Sequence, residues 1–183
     1  MLRRLHRINA QTLALFLALH LFNHAMLLFG RETHDAVMTL FRPLYRNVIV
    51  EPVLIMLFIV QAVLGLTLAW RRRQPQNGWA LAQIASGIVL VVFLVQHIPA
   101  VLLARPSTDT STQFAAAVVE TMPGALYFIP YYILAVLALA THLAAARRFS
   151  RWPASPGRLA FGLPLVGLGL GIVIIFGLRG QFG

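Results

Sequence analysis

Apolar residues gather into five long runs, at about 10–29, 48–70, 79–104, 125–146 and 159–178, separated by shorter segments that hold most of the charge. About 20 helical residues cross a hydrocarbon core roughly 30 Å thick. In lipid a lone strand would leave its backbone groups unpaired, so each run is expected to be a helix. The pattern predicts an all-α membrane protein, a five-transmembrane-helix bundle forming a single domain over 1–183. MLRRLHR precedes the first run. It looks like the start of a signal peptide, but the apolar run is too long and no small-residue cleavage site follows, so an uncleaved first helix is expected. RRRQPQNG reads as a tight turn, and RPSTDTSTQFAAAVVETMPG as a loop with room for a short surface helix.

The arginines orient the bundle. Arg3, Arg4, Arg7, Arg71, Arg72, Arg73, Arg147, Arg148, Arg151 and Arg158 fall on one side; Arg31, Arg42, Arg46, Arg105 and Arg179 fall on the other. The richer side is expected to be cytoplasmic, which puts the N-terminus in the cytoplasm and the C-terminus outside. The five acids, Glu32, Asp35, Glu51, Asp109 and Glu120, lie towards the outer side. Trp70, Trp79 and Trp152 near one boundary, and Tyr45, Tyr127, Tyr131 and Tyr132 near the other, fit the aromatic belts of a bilayer protein.

Composition narrows the chemistry. The chain is 59% hydrophobic and 11% charged, against about 25% charge in a soluble domain. The absence of cysteine excludes disulfides, iron–sulfur ligation and c-type haem attachment. The net charge of +10 comes from arginine alone. These arginines flank apolar runs, so topology rather than nucleic acid explains them. There is no phosphate-loop motif, internal repeat or soluble catalytic domain, so no catalysis is expected of the chain alone. Without a repeat or broken helices a transporter is disfavoured. GLPLVGLGLG in the last run reads as small residues for close helix packing.

The informative residues are polar ones at membrane depth: His20 and His24 in the first run, Gln61 in the second, His97 in the third and His142 in the fourth. Such residues are functional candidates by default, although a lone histidine or glutamine often only bonds one helix to another. Histidine is an axial ligand of haem iron, and facing helices hold haem in bundles. Helical rise puts His20, His24 and His97 in the outer half of the membrane and His142 in the inner half. His6 and His34 read as solvated loop residues.

The order and spacing of HLFNHAMLLFG, VEPVLIMLFIVQAVLGLTL, SGIVLVVFLVQHI and YYILAVLALATHLAAARRFS resemble the five-helix cytochrome b subunit that anchors bacterial succinate dehydrogenases and fumarate reductases. In that family the first and third helices ligate an outer b haem, and the second and fourth an inner one. The resemblance implies His20 and His97 as ligands of the outer haem iron, with His24 the alternative to His20, and His142 on the inner site. It departs at Gln61, where a second inner histidine belongs. One haem b is therefore implied and the second lacks a ligand, with Gln61 expected to face His142. Gly87 is expected to leave room for a macrocycle. The implied function is electron exchange with quinone, as an inner-membrane subunit docking a flavoprotein and an iron–sulfur protein on its cytoplasmic side. The alternative is a non-enzymatic membrane module, a haem sensor or haem-free anchor of the same fold. Asn23, His24, Arg46 and Glu51, near the outer boundary, are the candidates for a quinone site.

Overall fold

The computed structural model describes residues 1–72, 75, 77–108, 110–149 and 156–182, with backbone alone over 156–160. The protein is 89% helical, and no strand occurs among the described residues. Seven α-helices follow in order: α1 (Leu2–Ala25), α2 (Arg31–Tyr45), α3 (Val50–Arg71), α4 (Gly78–Thr108), α5 (Thr112–Glu120), α6 (Gly124–Arg148) and α7 (Pro156–Leu178), with a 3-10 turn at Met26–Phe29. α1 with its 3-10 turn, α3, α4, α6 and α7 are long and apolar enough to cross a membrane. Their outward residues are apolar: Leu15, Ile59, Val95, Leu134 and Leu165 are all exposed. Such an apolar surface suits contact with lipid. Trp152, Asp109, Arg73 and Arg151 lie outside the described residues.

Two segments depart from the expectation of loops. α1 begins at Leu2, well before the apolar run. Leu2, His6, Asn9 and Leu13 repeat at helical spacing and are the more buried positions, while Arg3, Arg4 and Arg7 are exposed. One turned-in face is enough to extend the helix. His6 is therefore a helix residue facing the bundle, not a solvated one. The segment after Gly30 forms α2, whose His34 is only 4% exposed, so it too is not solvated. Gly30 connects the 3-10 turn to α2 at φ 98°, a backbone region that favours glycine. The short surface helix is present as α5, but it buries Thr112, Ala116 and Val119 rather than floating free.

The five spanning helices close a ring: α1 packs on α3, α3 on α4, α4 on α6, α6 on α7, and α7 returns to α1 and its 3-10 turn. α1 makes no comparable backbone approach to α4 or α6 across the ring. The closest seam is α6 with α7. A Cβ on Gly167 would lie 2.4 Å from Ala140 Cβ, and one on Gly171 3.1 Å from Ile133 Cα, whereas Gly169 faces open space. Of the glycines read as packing residues, Gly167 and Gly171 pack, on the one face that meets α6, whereas Gly162 and Gly169 have no neighbour there. α2 and α5 cover the end of the ring opposite the clustered arginines. There Arg31 ties them to α7 by donating to the Leu178 carbonyl and pairing with Glu120.

Candidate functional site

Four imidazoles reach across the space that α1 leaves between itself and α4 and α6. Near mid-span, His20 of α1 faces His97 of α4 with ring centres 6.2 Å apart and planes at 69°. Each ring stacks on a phenylalanine one turn earlier in its helix: Phe16 under His20 at 5.4 Å, Phe93 under His97 at 4.7 Å. The i, i+4 spacing places both partners on one helix face. Phe93 is itself braced by Tyr131 of α6 at 4.8 Å. Among the described residues neither His20 nor His97 makes a hydrogen bond. Two imidazoles at membrane depth without partners are costly.

The fit of a haem between them is testable on distance. Two axial imidazoles need about 2 Å per metal–nitrogen bond and about 1 Å more to each ring centre, roughly 6 Å in all. The 6.2 Å separation meets this. No group of three or more His, Asp or Glu among the described residues is arranged for a bare metal ion. A pair is what haem requires, because its porphyrin supplies the other four ligands. His24, the alternative to His20, contacts His20 at 4.7 Å and His34 at 5.4 Å; its Nδ1 is buried without a hydrogen bond.

His24 leads instead to a polar cluster under α2 and α5. The Asn23 amide donates to His34 Nε2 at 3.1 Å, and His34 Nδ1–H donates to Thr112 Oγ1 at 2.9 Å. The Thr112 hydroxyl in turn donates to Asp35. The neutral imidazole satisfies every bond in this set. Burial lowers the His34 pKa from its usual 6.5, with the Asp35 hydrogen bond opposing the shift.

The remaining quinone candidates sit elsewhere on this end. Glu51 at the start of α3 pairs through both oxygens with Arg105 of α4, one bond at 2.8 Å. Arg46 donates to Thr110. Asn23 and His24 thus share the His34 cluster, while Glu51 and Arg46 bind the α3–α4 corner.

At the arginine-rich end the structure changes the expected partners. His142 of α6 does not meet Gln61. Its Nδ1 donates to the Gln83 carbonyl at 3.1 Å and lies 3.3 Å from Ser86 Oγ. Its ring faces His6 of α1, centre to centre 6.4 Å, planes at 75°. Gln61 contacts His6 and Asn9 instead, at 3.3 and 2.8 Å. Gly87 is not open room: a Cβ there would sit 3.2 Å from His142 Cε1. His6 was not legible as a site residue because it precedes the apolar run. The signal that finds it is its 14-residue spacing from His20, close to four full turns of one helix face.

No protein-family model, no curated protein and no solved structure matches the chain.

Proposed function

We propose that this protein is a b-type cytochrome of the bacterial cytoplasmic membrane that binds haem inside its helix ring and exchanges electrons with quinone. The observation that carries this reading is the His20–His97 pair, facing across the ring at bis-imidazole distance and, among the described residues, without a hydrogen bond to either ring. When bound, haem supplies a one-electron couple between ferric and ferrous iron. The chain's own residues do the rest. His20 and His97, on two helices that do not form a packed seam with each other, would hold the iron, and Phe16 and Phe93 stack on their rings and fix the ring planes. The surrounding apolar wall excludes water.

The proposed topology places the arginine-rich end in the cytoplasm, where Arg71, Arg72, Arg147 and Arg148 offer a basic face to a flavoprotein and iron–sulfur partner. The His34 end, with Asn23 and His24, is the proposed quinone side. The isolated chain lacks any flavin or nucleotide motif, so succinate or fumarate turnover is expected only with partners.

A reduced-minus-oxidised spectrum of the purified protein tests the reading. A low-spin b-type spectrum is expected, and His97→Ala should remove the haem held by this pair while the chain still purifies as a folded species. No bound haem in the unaltered protein overturns it in favour of a haem-free membrane module.

A further inference from the structure

We infer that the ring holds a second bis-imidazole haem site, at its arginine-rich end, whose ligands are His6 of α1 and His142 of α6. The inference deepens the haem reading above and rests on it.

Three observations converge. The two rings stand 6.4 Å apart at 75°, nearly the same arrangement as His20 and His97 at 6.2 Å and 69°. They arise from helices α1 and α6, which do not form one of the packed helix seams of the ring. And His6 lies 14 residues before His20 on α1, about 21 Å along the axis and back on nearly the same face. One helix therefore supplies a ligand to each level of the ring, and α4 and α6 supply one each opposite it.

The hydrogen bonds set both rings in the form that binds iron. His142 Nδ1–H donates to the Gln83 carbonyl, leaving Nε2 with a free lone pair. A metal-ligating histidine characteristically donates its other ring N–H to such a carbonyl. On the opposite ring the direction of bonding is fixed from the backbone. The Leu57 carbonyl can only accept, so the Asn9 amide donates to it at 2.9 Å and to Gln61 Oε1 at 2.8 Å. Gln61 then presents its N–H to His6 Nε2 at 3.3 Å. His6 Nε2 is thereby unprotonated, and its lone pair is available to a metal that displaces the amide. His6 Nδ1 is buried without a partner.

Glycines lie beside both rings. A Cβ on Gly65 of α3 would come 3.4 Å from His6 Cε1, an ordinary contact, and one on Gly87 of α4 3.2 Å from His142 Cε1, a tight one. Each imidazole therefore lies against the backbone of a neighbouring helix. Gln61, one turn before Gly65, sits where an imidazole from α3 would serve; His6 reaches the same point from α1.

Haem-to-protein ratio, spin state and midpoint potentials of the purified full chain decide the matter. Two low-spin haems per chain are expected. His6→Ala should lower the ratio from two to about one, and Gln61→His in the same chain should restore the second haem. His6→Met should retain two haems and raise the potential of one only, because methionine in place of histidine favours ferrous iron; this variant keeps the test alive if His6→Ala does not fold. A single haem that His97→Ala removes and His6→Ala leaves would overturn the second site while the first stands. Two low-spin haems persisting in His6→Ala would also overturn it. No haem in the unaltered chain removes both readings.

Discussion

At the scale of single residues, polar side chains in this protein are either fully bonded or conspicuously not. His34 belongs to the first kind. Asn23 and Thr112 saturate its neutral ring, and burial holds its pKa below 6.5. The consequence for stability has a definite sign. Above pH 6.5 the ring is neutral in both folded and unfolded chains. As pH falls below 6.5 the unfolded chain takes up the proton first, so folding weakens until the folded pKa is also passed. The melting temperature in detergent should therefore fall as the pH drops below 6.5. His34→Gln should cost about 1–2 kcal/mol at neutral pH and make that fall shallower; an unchanged slope would show that His34 does not contribute to it. His20 and His97 belong to the second kind, and their lack of partners is what marks them. Helical rise put these two at similar depth along their helices, and their rings do face each other. Sequence misplaced His6 and His34, because burial of a polar residue outside an apolar run depends on what packs over it.

At the scale of elements, two contacts decide how the helices sit. The α6–α7 seam depends on Gly167 and Gly171, where no side chain fits. Gly167→Val should destabilise the protein by about 1–3 kcal/mol through forced separation of the helices, read as a lower melting temperature. Gly169→Val, on the face with open space, should leave it within error. Equal effects at both positions would remove the packing explanation. The α3–α4 corner depends on Glu51 and Arg105, whose side chains are about a quarter exposed. Glu51→Gln should cost about 1.5–3 kcal/mol, the range for hydrogen bonds to charged groups, reduced at high salt because the pair is partly screened. If melting is unchanged, the corner is held by its apolar contacts alone. The glycine stretch was legible in the sequence as a packing motif. Which two of its glycines face α6 was not, since neighbouring residues on a helix point different ways and only the docked partner selects a face.

At the scale of the whole molecule, the ring is a wall of five apolar helices around a polar seam. Its orientation is expected from the arginine bias: a reporter fused after Gly183 should be active only outside the cytoplasm, and one inserted between Arg73 and Asn77 only inside. The reverse pattern would invert the proposed quinone and partner sides together. Stability of the whole should also track haem. A ligand that binds only the folded ring stabilises it by mass action, so protein made under haem starvation should melt lower than the haem-replete protein, and the difference should be smaller for His97→Ala. Equal melting of starved and replete protein would mean that no haem contributes to stability.

By itself the sequence determined that this is a helical membrane protein with five spans, because runs of apolar residues long enough to cross lipid leave the backbone no other way to satisfy its hydrogen bonds. It set the positions of His20, His97 and His142 along their helices, since helical rise is constant. Only the tertiary structure decided which residues meet. The closing of the ring put His97 opposite His20, and it put His6 rather than Gln61 opposite His142. It also made a helix, α2, of the polar segment after Gly30, and laid it against the expected short helix α5 so that His34 and Thr112 are buried together. Those outcomes depend on the rotation of each helix about its axis and on which helices become neighbours. Both are set by packing among all five spans at once, and no local stretch of sequence contains them.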